Sequence, residues 1–110
     1  NVMMRPALHG SYHRVLCANK MADARKKNRY TLCGPICENG DQYPEPYDLP
    51  PLEERDLLAI LDTGAYGYSM ANNYNTQSRP AEVWVDKLEH HLIRRRETLA
   101  DITHNMVVPN

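Results

Sequence analysis

The sequence predicts a mostly β domain with only short helices. Several short segments alternate polar and apolar residues and contain Val, Ile or Tyr, a pattern typical of strands. Most of the 8 prolines and 5 glycines fall between these segments, where they interrupt any long helix. A chain of 110 residues suits one small domain, residues 1–110, and is too short for a barrel enzyme of about 250 residues.

Five segments are predicted to form strands: residues 11–17, 29–36, 56–62, 79–86 and 90–96. The second segment is interrupted at a Gly-Pro pair. The third reads DLLAILD, and this short apolar run predicts a strand buried on both faces. The fifth segment continues the fourth after a turn.

The connections between the strands are predicted from charge, proline and helical spacing. Residues 20–29 are polar and basic, which indicates an exposed turn rather than a binding patch. Residues 39–52 contain four prolines, which predict a surface excursion without a continuous helix. We expect a short helix over residues 69–74, and the apolar spacing within residues 97–106 predicts another in the tail.

The charge balance argues against a nucleic-acid-binding protein. The chain has 13 Lys and Arg against 14 Asp and Glu, a formal net charge of -1, so it lacks a basic footprint for nucleic acid. No window approaches the roughly 20 apolar residues of a membrane span, and the opening residues lack the apolar core of a signal peptide. We therefore expect a cytoplasmic protein without membrane contact, unless a leader was removed.

Cysteine chemistry provides the first candidate site. The chain has three cysteines, Cys17, Cys33 and Cys37, which cannot all form disulfides within one chain. This favours free thiols in a reducing compartment. Cys37 has the most reactive setting, because it lies in a loop at a strand end beside Glu38 and near Asp41. Depending on ionisation and exposure, such a thiol is a nucleophile or a proton donor. The alternative is a half-buried Cys that packs as a small apolar residue.

A zinc site is a weaker possibility. Cys33, Cys37, His90 and His91 are residue types that bind zinc. Their spacing does not match the paired short spacings of structural zinc sites, and Pro35 favours an extended segment rather than a knuckle. We therefore expect no metal, and histidines that serve as surface or packing residues.

Two further patterns concern anions. Gly64 and Gly67 flank Tyr66, and such a turn can bring backbone N–H groups and a hydroxyl close to a phosphate, although most turns of this kind have no ligand. Arg5 can hold a carboxylate with two hydrogen bonds, although a single Arg more often forms a surface ion pair. The run at residues 94–96 is expected to be a solvated strand end.

Four segments occur in a fixed order: NVMMRPALHGSYH, GPICENGD, DLLAILDTGAYGYSMANNYNTQSRPAEVWV and LIRRRET. In this order and spacing they resemble the C-terminal part of diaminopimelate decarboxylases. The resemblance implies a pyridoxal 5'-phosphate enzyme of alanine-racemase-like fold (fold type III), in which a (β/α)8 barrel precedes a β domain of barrel or sandwich type. It also implies a homodimer with active sites at the subunit interface. The barrel, which holds most of the cofactor contacts, is absent from this sequence, so the fragment alone is expected to be inactive.

The resemblance also assigns roles to individual residues. Cys37 corresponds to the proton donor, and Glu38 to the carboxylate that binds the distal amino group of the substrate. Tyr66 corresponds to a residue that contacts both cofactor phosphate and substrate, and Arg5 to the residue that binds the distal carboxylate. His9 stands where the family has a substrate-binding Tyr.

These correspondences predict conversion of meso-diaminopimelate into L-lysine and CO2. Glu38 favours meso-diaminopimelate as the substrate, because the related ornithine and arginine decarboxylases typically have Asp at the position after the Cys. The change at His9 leaves open a decarboxylase for another amino-acid conjugate. A third hypothesis is a non-catalytic β interaction module. An isolated domain should also expose the apolar face that normally meets the barrel, and self-associate or aggregate.

Overall fold

The computed structural model describes residues 3–21 and 26–109. It confirms a mostly β fold with short helices. The strands are β1 (Val15–Cys17), β2 (Asn28–Tyr30), β3 (Tyr47–Leu49), β4 (Leu58–Ile60), β5 (Glu82–Asp86) and β6 (Glu89–Arg94). The helices are α1 (Pro6–His9), α2 (Leu99–Thr103) and a 3-10 turn at Tyr74–Thr76. No helix in the described parts of the chain has the length and apolar character needed to cross a membrane.

The described strands form three antiparallel two-stranded sheets and no closed barrel. β1 pairs with β4, β2 with β3, and β5 with β6. The core lies where the first two sheets meet, and its buried centre is Val15, Tyr47 and Leu49. Partly buried side chains pack around this centre, namely Tyr30, Leu32, Tyr43, Leu52 and Ile60.

The prediction of a surface excursion over residues 39–52 is wrong in its second half. That segment contains β3, in which Tyr47 and Leu49 are only 7% and 3% exposed. The prolines exclude a helix, as expected, but they flank a three-residue strand whose alternate side chains point into the core. Earlier in the segment, Gln42 forms an isolated bridge with Cys33.

Other predicted boundaries also differ from the structure. Only parts of the first two predicted strands form regular strands, namely β1 and β2. Turns in the rest of these segments, and Pro35 in the second, limit further strand pairing. The prediction of a strand buried on both faces at residues 56–62 is wrong, because Leu58 of β4 is 39% exposed. Residues 64–70 form turns, and the short helix predicted at 69–74 is displaced to the 3-10 turn.

The helices have local causes that the sequence contains. α1 begins with Pro6, which suits the first turn of a helix, and ends at Gly10, which has a left-handed φ of 59°. α2 confirms a tail helix. It begins with a capping box in which the Thr98 side chain accepts from the Asp101 N–H and the Asp101 carboxylate accepts from the Thr98 N–H.

The β5–β6 hairpin exposes apolar side chains. These side chains are at least half exposed and are Val83, Trp84, Val85, Leu92 and Ile93. The hairpin turn contains Lys87 with a positive φ of 54°. An apolar surface of this kind is unusual for an isolated soluble protein, and favours contact with another surface.

A partly exposed ion pair joins the segment after β1 to the segment before β4. Asp56, whose side chain is 8% exposed, accepts from Lys20 Nζ at 2.7 Å, from the Glu53 N–H at 2.7 Å and from Asn19 Nδ2 at 2.7 Å. Asn19 Oδ1 in turn accepts from the Leu57 N–H at 2.9 Å. The Lys20 ammonium, followed by the other two donors, lowers the pKa of Asp56 from 3.8 to about 2.

This pKa shift predicts a pH-dependent contribution to stability. A carboxyl whose pKa is lower in the folded state stabilises the fold above its unfolded pKa, and the contribution is lost as the pH falls toward the folded value. We therefore expect Asp56→Asn to lower the melting temperature at pH 5, and the gap to wild type to shrink between pH 4 and pH 2. Thermal unfolding followed by circular dichroism measures both. Asp86→Asn, at the exposed end of β5, is the control, and a gap that stays constant down to pH 2 would contradict the assignment.

Candidate active site

The loop that carries Cys37 and Glu38 is closed by the carboxylate and backbone of Asp41. Asp41 is 5% exposed, and its Oδ2 accepts from the Ile36 N–H at 2.7 Å. Its carbonyl accepts from the Gly34 N–H at 2.9 Å, and its N–H donates to the Glu38 carbonyl at 3.0 Å. Ile36 is buried beneath the loop, whereas Cys37 is exposed. These hydrogen bonds fix the backbone of the loop, and they therefore fix the positions from which the Cys37 and Glu38 side chains extend.

The loop requires a glycine at position 34. A Cβ at Gly34 would lie 2.3 Å from Asp41 Oδ2 and 2.5 Å from Oδ1, closer than atoms can approach. The carboxylate has little freedom to move away, because it is buried and bonded to Ile36.

Helix α1 presents Arg5 and His9 at its two ends. Arg5 precedes the helix, and its carbonyl accepts from the His9 N–H at 3.2 Å. The residues on either side of Arg5, Met4 and Pro6, are buried and anchor the backbone at this point. The Arg5 side chain is half-buried. His9 is exposed at the last helical position.

A turn presents Tyr66, which is 53% exposed. The N–H groups of Tyr66 and Gly67 both donate to the Thr63 carbonyl, at 2.9 and 2.7 Å. These two groups are therefore used inside the turn, and the structure gives no support to the idea that they bind a phosphate. The Tyr66 side chain is the part of the turn that a ligand can reach.

Two cavities meet at Arg5. One, of about 370 Å³, is lined by Arg5, Glu38 and Tyr74, together with Ala7, Leu8 and Gly40. The other, of about 350 Å³, is lined by Arg5, His9 and Tyr66, together with Met4, Ser11, His13 and Met70. Four of the five predicted site residues therefore line two cavities that have Arg5 in common.

The fifth predicted residue, Cys37, immediately precedes Glu38 and contacts a residue that the sequence analysis missed. Asn75 Nδ2 donates to Cys37 Sγ at 3.9 Å. Tyr74, beside it in sequence, lines the Glu38 cavity and was missed as well. The Asn-rich run ANNYN, typical of left-handed and turn conformations, was the only local signal for this segment.

A separate network anchors this missed segment. Asn73 Nδ2 donates to Glu97 Oε2 at 2.7 Å, and the same oxygen accepts from the Arg79 N–H at 2.9 Å. These two donors, with the Arg79 N–H contributing most, lower the pKa of Glu97. The segment is therefore attached to the chain between β6 and α2.

The structure does not gather Cys33, Cys37, His90 and His91 into a metal site. Within residues 3–21 and 26–109 there is no group of three or more potential metal ligands. His90 and His91 lie on the exposed hairpin strand β6.

Two of the three arginines predicted to form a solvated strand end, Arg94 and Arg95, have acidic partners. Arg94 lies 4.0 Å from the centre of the Tyr68 ring and forms an ion pair with Glu82. Arg95 donates twice to Asp101, at 2.6 Å each, and holds the pKa of that carboxyl well below its usual range.

Comparison with known proteins identifies the family. Residues 1–64 match the family model for the C-terminal sheet domain of pyridoxal-dependent decarboxylases. The chain belongs to this family. Among curated relatives, the diaminopimelate decarboxylase of Archaeoglobus fulgidus is 46% identical over 109 residues, which are 99% of this chain and 26% of that protein. The diaminopimelate decarboxylase of Bacillus subtilis is 47% identical over 102 residues, 93% of this chain and 23% of that protein.

Solved structures agree with this assignment. Diaminopimelate decarboxylase from M. jannaschii, crystallised with L-lysine, matches with a TM-score of 0.86 and 41% identity over 98% of this chain and 24% of its own. The enzyme from Helicobacter pylori, also in complex with L-lysine, has a TM-score of 0.80 and 31% identity over 94% of this chain and 25% of its own. The chain therefore spans about a quarter of the length of these decarboxylases.

The cavity beside Tyr66 fits the anionic part of a pyridoxal cofactor. Arg5, His9 and the Tyr66 hydroxyl supply a fixed positive charge and hydrogen-bond donors, the groups that bind phosphate and carboxylate. No lysine lines either of the two cavities as the described residues form them. These decarboxylase-domain residues thus suit a supporting contact to the cofactor rather than its covalent attachment.

The Gly34–Asp41 contact predicts a specific loss of stability. In Gly34→Ala, the new methyl group displaces the Asp41 carboxylate from the Ile36 N–H, so we expect unfolding free energy to fall by about 1–3 kcal/mol. Urea unfolding measures the difference. Gly64→Ala is the matched control, because a Cβ there meets nothing within 4 Å. Equal stabilities of the two variants would show that Asp41 does not close the loop.

Proposed function

We propose that residues 1–110 form the C-terminal β domain of a meso-diaminopimelate decarboxylase, which converts meso-diaminopimelate into L-lysine and CO2. The observation that carries the proposal is that Arg5 and Glu38 line the same cavity. A guanidinium and a carboxyl group together complement the carboxylate and ammonium of an amino-acid group. Diaminopimelate has such a group at the end that is not decarboxylated, whereas simple basic amino acids have no distal carboxylate.

Pyridoxal 5'-phosphate, when bound, supplies the electron sink that makes loss of CO2 possible. The residues of this domain bind and orient the substrate and move one proton. Arg5 and Glu38 hold the distal end of the substrate, while Tyr66 contacts cofactor phosphate and substrate from the neighbouring cavity. The family resemblance and the shared cavities support these roles.

Cys37 is proposed to complete the reaction. Its S–H bond breaks, and the proton forms a C–H bond with the electron pair left on the carbon that has lost CO2. Sulfur keeps the charge as a thiolate until it regains a proton from solvent. The exposure of the Cys37 thiol and its position next to Glu38, which lines the proposed substrate cavity, support this role.

The assembly and location of the protein are also proposed. The family resemblance supports a homodimer of the whole protein with the site at the subunit interface, and the exposed apolar hairpin is a surface able to contact another protein surface. A cytoplasmic location stays a prediction from composition and free cysteines.

The decisive experiment is a decarboxylation assay of the intact protein with added pyridoxal 5'-phosphate. We expect L-lysine and CO2 from meso-diaminopimelate, and little turnover of L-ornithine or L-arginine. Cys37→Ala should lower kcat by at least about a hundredfold, since it removes the proton donor. Cys33→Ala, which removes another exposed thiol, should leave turnover unchanged. Full activity of Cys37→Ala would exclude the proton-donor role, and a folded protein without turnover would favour the interaction module.

The position of His9 in the Tyr66 cavity favours a second candidate, a decarboxylase for another amino-acid conjugate. The His9 ring is shorter than a Tyr side chain and presents ring nitrogens instead of a phenolic hydroxyl, so it suits a different substrate group. In that case His9→Tyr should lower kcat/KM for the true substrate by about tenfold or more, the effect of one lost hydrogen bond to a charged group. Steady-state kinetics with meso-diaminopimelate and its N-substituted derivatives test this. Unchanged kinetics would remove the reason for the second candidate.

A further inference from the structure

Two consecutive residues near the Cys37 thiol have backbone conformations that are rare for their types. Asn75 has φ 51° and ψ 34°, and Thr76 has φ 60°. Asn tolerates the left-handed region, but a β-branched Thr there is a genuine outlier. Conformations of this kind persist only where the surrounding structure imposes them, and they concentrate at functional sites.

The surrounding contacts fix this strained turn from both sides. The Thr76 N–H donates to the Asn73 carbonyl at 2.9 Å, and Asn73 Nδ2 donates to the Gln77 carbonyl at 3.0 Å. Asn73 is itself bonded to Glu97 at 2.7 Å, which ties the turn to a segment more than twenty residues away. The turn at residues 73–77 is therefore held in place by hydrogen bonds within the turn and to a distant segment of the chain.

The result of this arrangement is a defined direction for one side chain. The Asn75 amide reaches Cys37 Sγ at 3.9 Å, across a sequence separation of 38 residues. Its neighbour Tyr74 lines the cavity that contains Glu38. The same turn therefore contacts both parts of the proposed reaction centre, the thiol and the substrate cavity.

We propose that Asn75 is a positioning residue for Cys37, whose side-chain N–H donates to the thiol sulfur, fixes its rotamer and stabilises the thiolate left after proton transfer. The inference rests on the proposed role of Cys37 as proton donor. An amide suits this task because it does not ionise near neutral pH and so does not compete for the proton. Both residues are exposed in this chain, so the hydrogen bond competes with water and its effect is modest.

The test separates the amide from the backbone conformation that carries it. Asn75→Gly deletes the amide, and glycine adopts the left-handed conformation without cost. Asn75→Asp retains the shape and the tolerance of that conformation, but places a carboxylate against the thiolate. The intact protein is treated with iodoacetamide across pH 6 to 10, and alkylation of Cys37 is followed by mass spectrometry, with exposed Cys33 of the same molecule as the internal reference.

We expect the pH of half-maximal Cys37 alkylation to rise in Asn75→Gly, which slows the reaction at pH 7 by about threefold to tenfold relative to Cys33. Asn75→Asp should slow it further, because the carboxylate repels the thiolate. Unchanged pH profiles in both variants would overturn the proposal, since a merely structural Asn75 predicts that result. A profile that moves in Asn75→Gly but returns to wild type in Asn75→Asp would also overturn it.

A kinetic measurement links the contact to the reaction. With meso-diaminopimelate, Asn75→Gly should lower kcat by about threefold to tenfold and leave KM unchanged, because the amide touches the thiol and not the substrate. A rise in KM with unchanged kcat would overturn the positioning role. If the proposed role of Cys37 is wrong, Cys37→Ala retains full activity, which is a different result from those above. The alkylation profiles still test the contact between Asn75 and Cys37 in that case.

Discussion

Tyr47 makes the contact on which the rest of the structure depends. Its ring packs with Val15 in the buried centre that joins the β1–β4 and β2–β3 sheets, and its hydroxyl donates to the His13 carbonyl at 2.7 Å. The rings of Tyr12 and Tyr43 lie 6.1 and 5.8 Å from it, one stacked and one edge-on. Two-stranded sheets of three residues are marginal alone, so this one side chain converts two weak pairings into a core.

The same contact sets the positions of the site. Tyr12 follows closely after α1, which ends at His9, and Tyr43 follows the loop closed by Asp41. Because both rings pack on Tyr47, they hold the chain segments that carry Arg5 and Glu38 near one another. The shared cavity between these two side chains is thus a product of packing more than of either local motif.

Local signals indicated only the Cys37 loop, the family resemblance supplied the other candidate site residues, and pairings between distant segments were not predictable. The loop around Cys37 and Glu38 was identified because Gly34 and the nearby carboxylates are close in sequence. The core strand β3 was missed, since flanking prolines resemble those of a surface loop until the partner strand is known. Asn75 was missed for a similar reason, because its thiol partner lies 38 residues away and no local pattern reports that contact.

The position of Arg5 between two cavities has a thermodynamic consequence. One guanidinium contributes to the electrostatic potential of both spaces, so an anion that engages it from one side reduces its attraction for an anion on the other. Occupancy of one cavity then changes the affinity of the other for its ligand. This coupling is reciprocal, because each ligand changes the affinity for the other by the same factor. A single side chain thereby couples the two cavities, so that an anion in one weakens anion binding in the other.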